Sequence, residues 1–234
     1  MDRRSFLTVG SASAAGLALS TAPSFAAQQK AAPGDAKLNA LFDNIFKDRV
    51  RRSPELASSL GLDKGANADL KSKLDVRPAA AARAEDLALN RKNQAAIRAI
   101  APAGLSDSGK LNRDVVLYQL ESGSVAASRF NIDSVQRPYP IMQQGGAYFG
   151  TPDFLNTAHT INDAADAEAY LSRLALVDEA IDNDSEEQRA QAARGFLAPD
   201  WSIDLTLGQM KKLRAGPADQ NTMVDSIVSR TAEK

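Results

Sequence analysis

Apolar residues recur every three or four positions through most of this chain, and prolines and glycines collect where that rhythm stops. Asp35 opens the first such stretch, in which Leu38, Leu41, Phe42, Ile45 and Phe46 follow the spacing of an amphipathic helix. Ser53-Pro54-Glu55 supplies an N-cap, a first-turn proline and an acid for a short helix closed by Gly61. A turn-rich gap with Gly65, Asn67 and Asp69 follows. An alanine-rich helix is then expected from Pro78 to Ile100, and another opens at Ser106 or Asp107 and carries Leu111, Val115, Tyr118 and Val125. Further on, Asp163 and Asp166 begin a helix with Tyr170, Leu174, Val177 and Ile181 on one face, extending toward Arg194 and stopping at Gly195. Asp200 or Ser202 starts one through Ile203, Leu207 and Met210 that ends at Gly216-Pro217. The last stripe, Met223, Val224, Ile227 and Val228, has no closing signal. It needs cover from earlier helices or from other sequence, and an uncovered patch is expected around Val224, Ile227 and Val228.

Strand-like alternation of useful length is absent, so the pattern predicts an all-α protein. Its short connections make successive helices antiparallel neighbours, with no substantial sheet.

One stretch breaks the pattern. From Arg137 to His159, Pro138, Pro140 and Pro152 remove backbone donors, while Gly145, Gly146 and Gly150 permit unusual backbone angles. Tyr139, Gln143, Gln144, Tyr148, Phe149 and Phe154 lie among them. That mixture predicts a long ordered Pro/Gly/aromatic loop packed on the helices, of the kind that lines a cleft.

Composition narrows the chemistry. The 234 residues are 44% hydrophobic and 24% charged, enough for a sizeable core, and the net charge of −1 gives no field for nucleic acid or an anionic membrane. Without cysteine there is no disulfide, thiolate or cysteine–zinc site, and with His159 as the single histidine no histidine pair can hold a metal. The chain is therefore expected to bind no cofactor of its own.

At the N-terminus, Arg3 and Arg4 precede Phe6-Leu7 and a mildly apolar run from Val9 to Leu19, and Ser24-Phe25-Ala26 fits a small-x-small cleavage site. Residues 1–26 thus read as a twin-arginine export signal cut near Ala26, 27–34 as a linker and 35–234 as the helical domain. The expected location is the periplasm, with no stable membrane anchor once the signal is removed.

The segment PIMQQGGAYFGTPDFLNTAHTINDAADAEAYLSRL resembles the bacterial domain-of-unknown-function 885 family through Pro140, Gln144, Gly145, Phe154, Leu155, His159, Glu168, Tyr170, Arg173 and Leu174. LFDNIFKDRVRRSPELASSLGLD, LNRDVVLYQLE and ARGFLAPDWSIDLTLGQMKKL are also similar to that family's helices, so the resemblance spans about Leu38 to Leu213. It implies an all-helical protein related to gluzincin zinc peptidases, whose full-length members carry a His-Glu-x-x-His helix that binds zinc and activates water. No such motif occurs in this sequence. The resemblance therefore implies the N-terminal half of a larger protein, inactive alone, shaping a substrate cleft for a zinc site in a C-terminal half. The alternative is a standalone exported helical module that binds a peptide or partner through the Arg137 to His159 loop and the uncovered final stripe.

Candidate contact residues are Gln144, Gly145, Gly146, Tyr148 and His159. Each has a plainer reading: the glycines serve a tight turn, and a lone histidine near a helix start satisfies backbone groups. Arg137 and Arg173 could hold a substrate carboxylate or simply pair with acids. The acidic run from Asp178 to Glu187 reads as a solvated helix face, and Trp201 as a packing anchor between helices.

Overall fold

A computed structural model describes residues 32–232, so the export-signal residues Arg3, Arg4 and Ala26 lie outside the described residues. Nine α-helices run through the described residues: α1 Pro33–Arg52, α2 Pro54–Ser59, α3 Ala79–Arg98, α4 Asp107–Gly123, α5 Ala147–Thr157, α6 Ala164–Leu174, α7 Val177–Ala193, α8 Asp200–Arg214 and α9 Thr222–Ala232. Among these residues there is no strand, only an isolated bridge between Met142 and Gly145. The all-α class is as expected. No helix of the described residues is long and apolar enough to cross a membrane.

The local signals act where they were read. Ser53, Ser106 and Asp163 each cap a helix by accepting a hydrogen bond from the backbone N–H three residues on. Gly61 and Gly195 take the left-handed backbone that ends α2 and α7.

Two apolar clusters organise the packing. Leu38, Ile97, Ile100, Leu105 and Leu117 join α1, α3 and α4. Leu74, Leu155, Ile161, Tyr170, Val177, Met223 and Ile227 join α5, α6, α7 and α9. Between them, α2 and a 3₁₀ segment from Gly65 to Ser72 bury Ala57 and Leu70 beside Val50. The turn-rich gap is thus helical after all.

Several expectations are corrected. Helix α1 begins two residues before Asp35, whose carboxylate instead accepts from the Ala32 N–H at its start and the Ser106 N–H at the start of α4. The stretch 137–159 is loop only to Gly146. Its second half is α5, because Tyr148 and Leu155 are buried and that packing outweighs the hydrogen bond Pro152 removes. The single helix expected from Asp163 to Arg194 is two, divided at Ala175 and Leu176, where Leu176 bonds back to the Arg173 carbonyl in a tighter turn.

On α4 the expected stripe faces outward, with Leu111, Val115 and Tyr118 exposed, while Leu117, Val116 and Leu120 pack inward. Trp201 is 58% exposed and so is not the buried anchor expected between helices. The α9 stripe is covered by earlier helices: Met223 and Ile227 are buried and Val224 half-buried, leaving only Val228 out. Besides the outward face of α4, α8 carries bare apolar surface, with Ile203, Leu205 and Leu207 exposed.

Candidate functional site

The turn before α5 brings four of the five sequence-selected residues together. Met142 and Gly145 exchange backbone hydrogen bonds of 3.1 and 3.4 Å across a tight turn. A Cβ on Gly145 would come within 2.9 Å of the Met142 side chain. Gly146 then adopts φ +89° to enter α5, and a Cβ there would lie 3.1 Å from an Asp184 oxygen.

Helix α7 holds this turn from below with two side chains one helical turn apart. Asp184 Oδ2 accepts from the Ala147 N–H at 2.5 Å, and Gln188 Oε1 accepts from the Ile141 N–H at 3.1 Å. Burial pushes the Asp184 carboxyl up from its ordinary value; the Ala147 bond opposes this, and the Asp133 and Glu187 charges add to it. The acidic run is therefore not simply a solvated face: Glu187 is also buried, 2.9 Å from Arg83.

Tyr148, buried on α5, points the other way. Its hydroxyl lies 2.6 Å from the Met142 carbonyl oxygen and 2.9 Å from Gln209 Oε1 on α8, so its one proton serves either acceptor. Tyr148 thereby links the turn to α8. That helix buries only a narrow polar edge, Ser202 and Thr206.

The space left beside that edge is an open groove of about 450 Å³, floored by Tyr148 and Ile181 and walled by Leu207, Met210 and Leu213. Lys211 and Arg214 form its rim, and among the described residues neither has an ion-pair partner. On the far side of the turn, Gly146, Asn183 and Asp184 line a more polar notch of about 380 Å³. Gln144 is exposed on the turn tip, while Gln143 buries its Oε1 with no hydrogen-bond partner among the described residues.

His159 is elsewhere. It is fully buried under α6, with Nδ1 2.8 Å from Arg173 Nη1 and Nε2 2.9 Å from the Asp166 carbonyl oxygen. Arg173 is equally buried. It donates to the Lys73 and Leu70 carbonyls and to Ser58 Oγ at 2.7 Å, and that hydroxyl donates on to Asp63 at 2.8 Å. Neither side chain can meet a substrate from this position.

A family model described as bacterial protein of unknown function (DUF885) matches residues 54–234. The chain belongs to this family. No curated protein and no solved structure matches it. The match to the DUF885 model takes in the turn, α5, α7 and α8, and so the whole groove.

Among the described residues of this DUF885 chain, no three His, Cys, Asp or Glu side chains converge as a metal site. Both ring nitrogens of His159 are already engaged, so it does not fit a zinc ligand. Sequence reasoning missed Asp184, Gln188, Ile181 and Leu207. Asp184 and Gln188 share a helical face four residues apart, but nothing in an acidic run marks which acids turn inward.

Proposed function

We propose that this DUF885 chain is the non-catalytic, cleft-forming part of a periplasmic zinc-peptidase-like protein, and that the groove between α5, α7 and α8 receives an extended, apolar stretch of a peptide-like substrate. The observation that supports this most is the groove: an apolar floor on Tyr148 and Ile181, an apolar wall of Leu207, Met210 and Leu213 on α8, and rim cations with no ion-pair partner among the described residues. Apolar surface supplies affinity and a few polar groups fix direction, which is the usual division of labour in such sites. Lys211 and Arg214 would favour a substrate carboxylate at that end.

The zinc-bearing chemistry belongs, in this reading, to a His-Glu-x-x-His helix in further sequence, as the family resemblance implies. Two tests separate the parts of the proposal. Reading the source DNA past the Lys234 codon should find that motif in frame, and a stop codon there would overturn the half-protein reading. Incubating the purified chain with a mixed peptide digest should give binding without cleavage, weakened by Leu207→Asp. Cleavage that persists after chelation would overturn the non-catalytic assignment.

A further inference from the structure

A second cavity, remote in sequence from the α5–α8 groove, lies between α1, α3 and α4. It is about 420 Å³, within the roughly 300 to 1,000 Å³ of small-molecule pockets, and opens to solvent. Its apolar floor is Ile45, Leu89 and Leu120.

Most of the polar groups around it are already satisfied. Arg52 pairs with Glu85 at 3.1 Å and Asp86 at 2.7 Å, and Arg77 pairs with Asp75 at 2.7 Å and Glu85 at 3.0 Å. Asn90 donates to the Leu120 carbonyl at 3.0 Å and accepts from Gln94 at 2.6 Å. Those groups build the walls and have little left to offer a ligand.

Two are different. Arg49 lines the mouth, is exposed, and has no ion-pair partner among the described residues. Asn93 is only 8% exposed, yet its side chain makes no hydrogen bond among the described residues. Asn93 is itself one of the residues that line the cavity, so this unbonded amide belongs to the lining. An amide in that position offers one donor face and one acceptor face together.

We propose that this cavity binds a small carboxylate ligand built like the end of a peptide. The aliphatic side chain occupies the floor of Ile45, Leu89 and Leu120, the ligand's amide pairs with the Asn93 amide, and its carboxylate meets Arg49. A guanidinium free of protein acids suits a carboxylate because it presents paired donors at matching spacing. A side-chain amide suits a peptide group because each complements the other's N–H and C=O. Ile45 and Arg49 precede residue 54, where the DUF885 match begins, so the site is assembled across that boundary and does not depend on the reading of the α5–α8 groove.

The test is a two-dimensional NMR titration of the purified chain with N-acetyl-leucine, with N-acetyl-leucinamide, and with a tripeptide ending in leucine. N-acetyl-leucine should shift signals around Ile45, Leu89 and Asn93 saturably, and the amide, which lacks the carboxylate, should bind at least about tenfold more weakly. Arg49→Gln, a surface change, should remove that preference. Asn93→Leu should abolish binding of both compounds while the melting temperature is held or raised. Binding of the tripeptide as well identifies a peptide C-terminus as the ligand, and its failure beside N-acetyl-leucine identifies a free acylated amino acid. Absence of saturable shifts at roughly 10 mM of any of the three, or equal binding of acid and amide by the unaltered chain, would overturn the proposal.

Discussion

Nη1 of Arg173 lies 2.8 Å from Nδ1 of His159, and both side chains are fully buried. A guanidinium can only donate, so Nδ1 is the acceptor and the ring proton sits on Nε2, donating to the Asp166 carbonyl. The imidazole is neutral. Burial holds its pKa below the ordinary 6.5, the Asp166 contact opposes, and the nearby charges of Arg173, Lys71 and Arg230 lower it further.

The pH dependence follows from that shift. Below about pH 6.5 the unfolded chain takes up a proton on His159 while the folded chain resists it until more acid conditions. This contribution to stability is complete above 6.5 and is lost as pH falls through the window beneath it. Urea midpoints should therefore drop between pH 7.5 and pH 5, and His159→Gln should flatten the slope. An unchanged slope in that variant would assign the effect to another group.

Arg173 is a buried cation with no ion pair among the described residues, and it is linked to Asp63 through the Ser58 hydroxyl. Burial lowers its pKa to about 10, against the raising influence of Asp63 and Glu55, so it stays charged at neutral pH. Arg173→Met should cost roughly 3 to 5 kcal/mol, because it takes the donor from the Lys73 carbonyl and from His159 Nδ1 and leaves the buried Asp63 carboxylate without its cation. Chemical denaturation measures this directly, and a loss under about 1 kcal/mol would show that water replaces the guanidinium.

Gly146→Ala should cost about 1 to 3 kcal/mol, because φ +89° with ψ 165° is a backbone region all but confined to glycine, and a Cβ there also crowds the Asp184 oxygen. Gly150→Ala on the same helix meets open space and should be neutral or stabilising. Comparing the two melting temperatures separates backbone strain from helix propensity.

The bare side of α8 should dominate association of the isolated chain. Ile203→Ser with Leu207→Ser should reduce hydrophobic-dye binding and self-association with little change in unfolding free energy, since both residues are exposed. Sedimentation of the double variant checks this, and undiminished association would point to Leu111, Val115 and Tyr118 on α4 instead.

What could be read in the chain was local. The caps at Ser53, Ser106 and Asp163 and the glycine stops at Gly61 and Gly195 depend on residues a few positions apart, and they appear where the spacing puts them. What could not be read was the choice among faces. On α4 two apolar stripes compete, and only the position of α1 and α3 decides that Leu117 turns inward and Tyr118 outward. Pro152 and Gly150 disguise α5 as loop because its stability comes from Leu155 and Tyr148 in the core. The site divided likewise: adjacent turn residues stayed together, while His159 was taken into the interior by Arg173, a partner fourteen positions away.

The Arg173 side chain also bears on the order of events during folding. Its partners at Lys73, Leu70, Ser58 and Pro54 lie 100 to 119 positions earlier in the chain. Contacts so distant in sequence form only after a long loop has been closed, and they add little to the speed of the first collapse. The cluster of α1, α3 and α4 joins residues that have all been made by position 117, whereas the Lys73 carbonyl and the Ser58–Asp63 pair meet the guanidinium only once α6 has been made. During synthesis, that interval is when this part of the chain is open to proteases and chaperones.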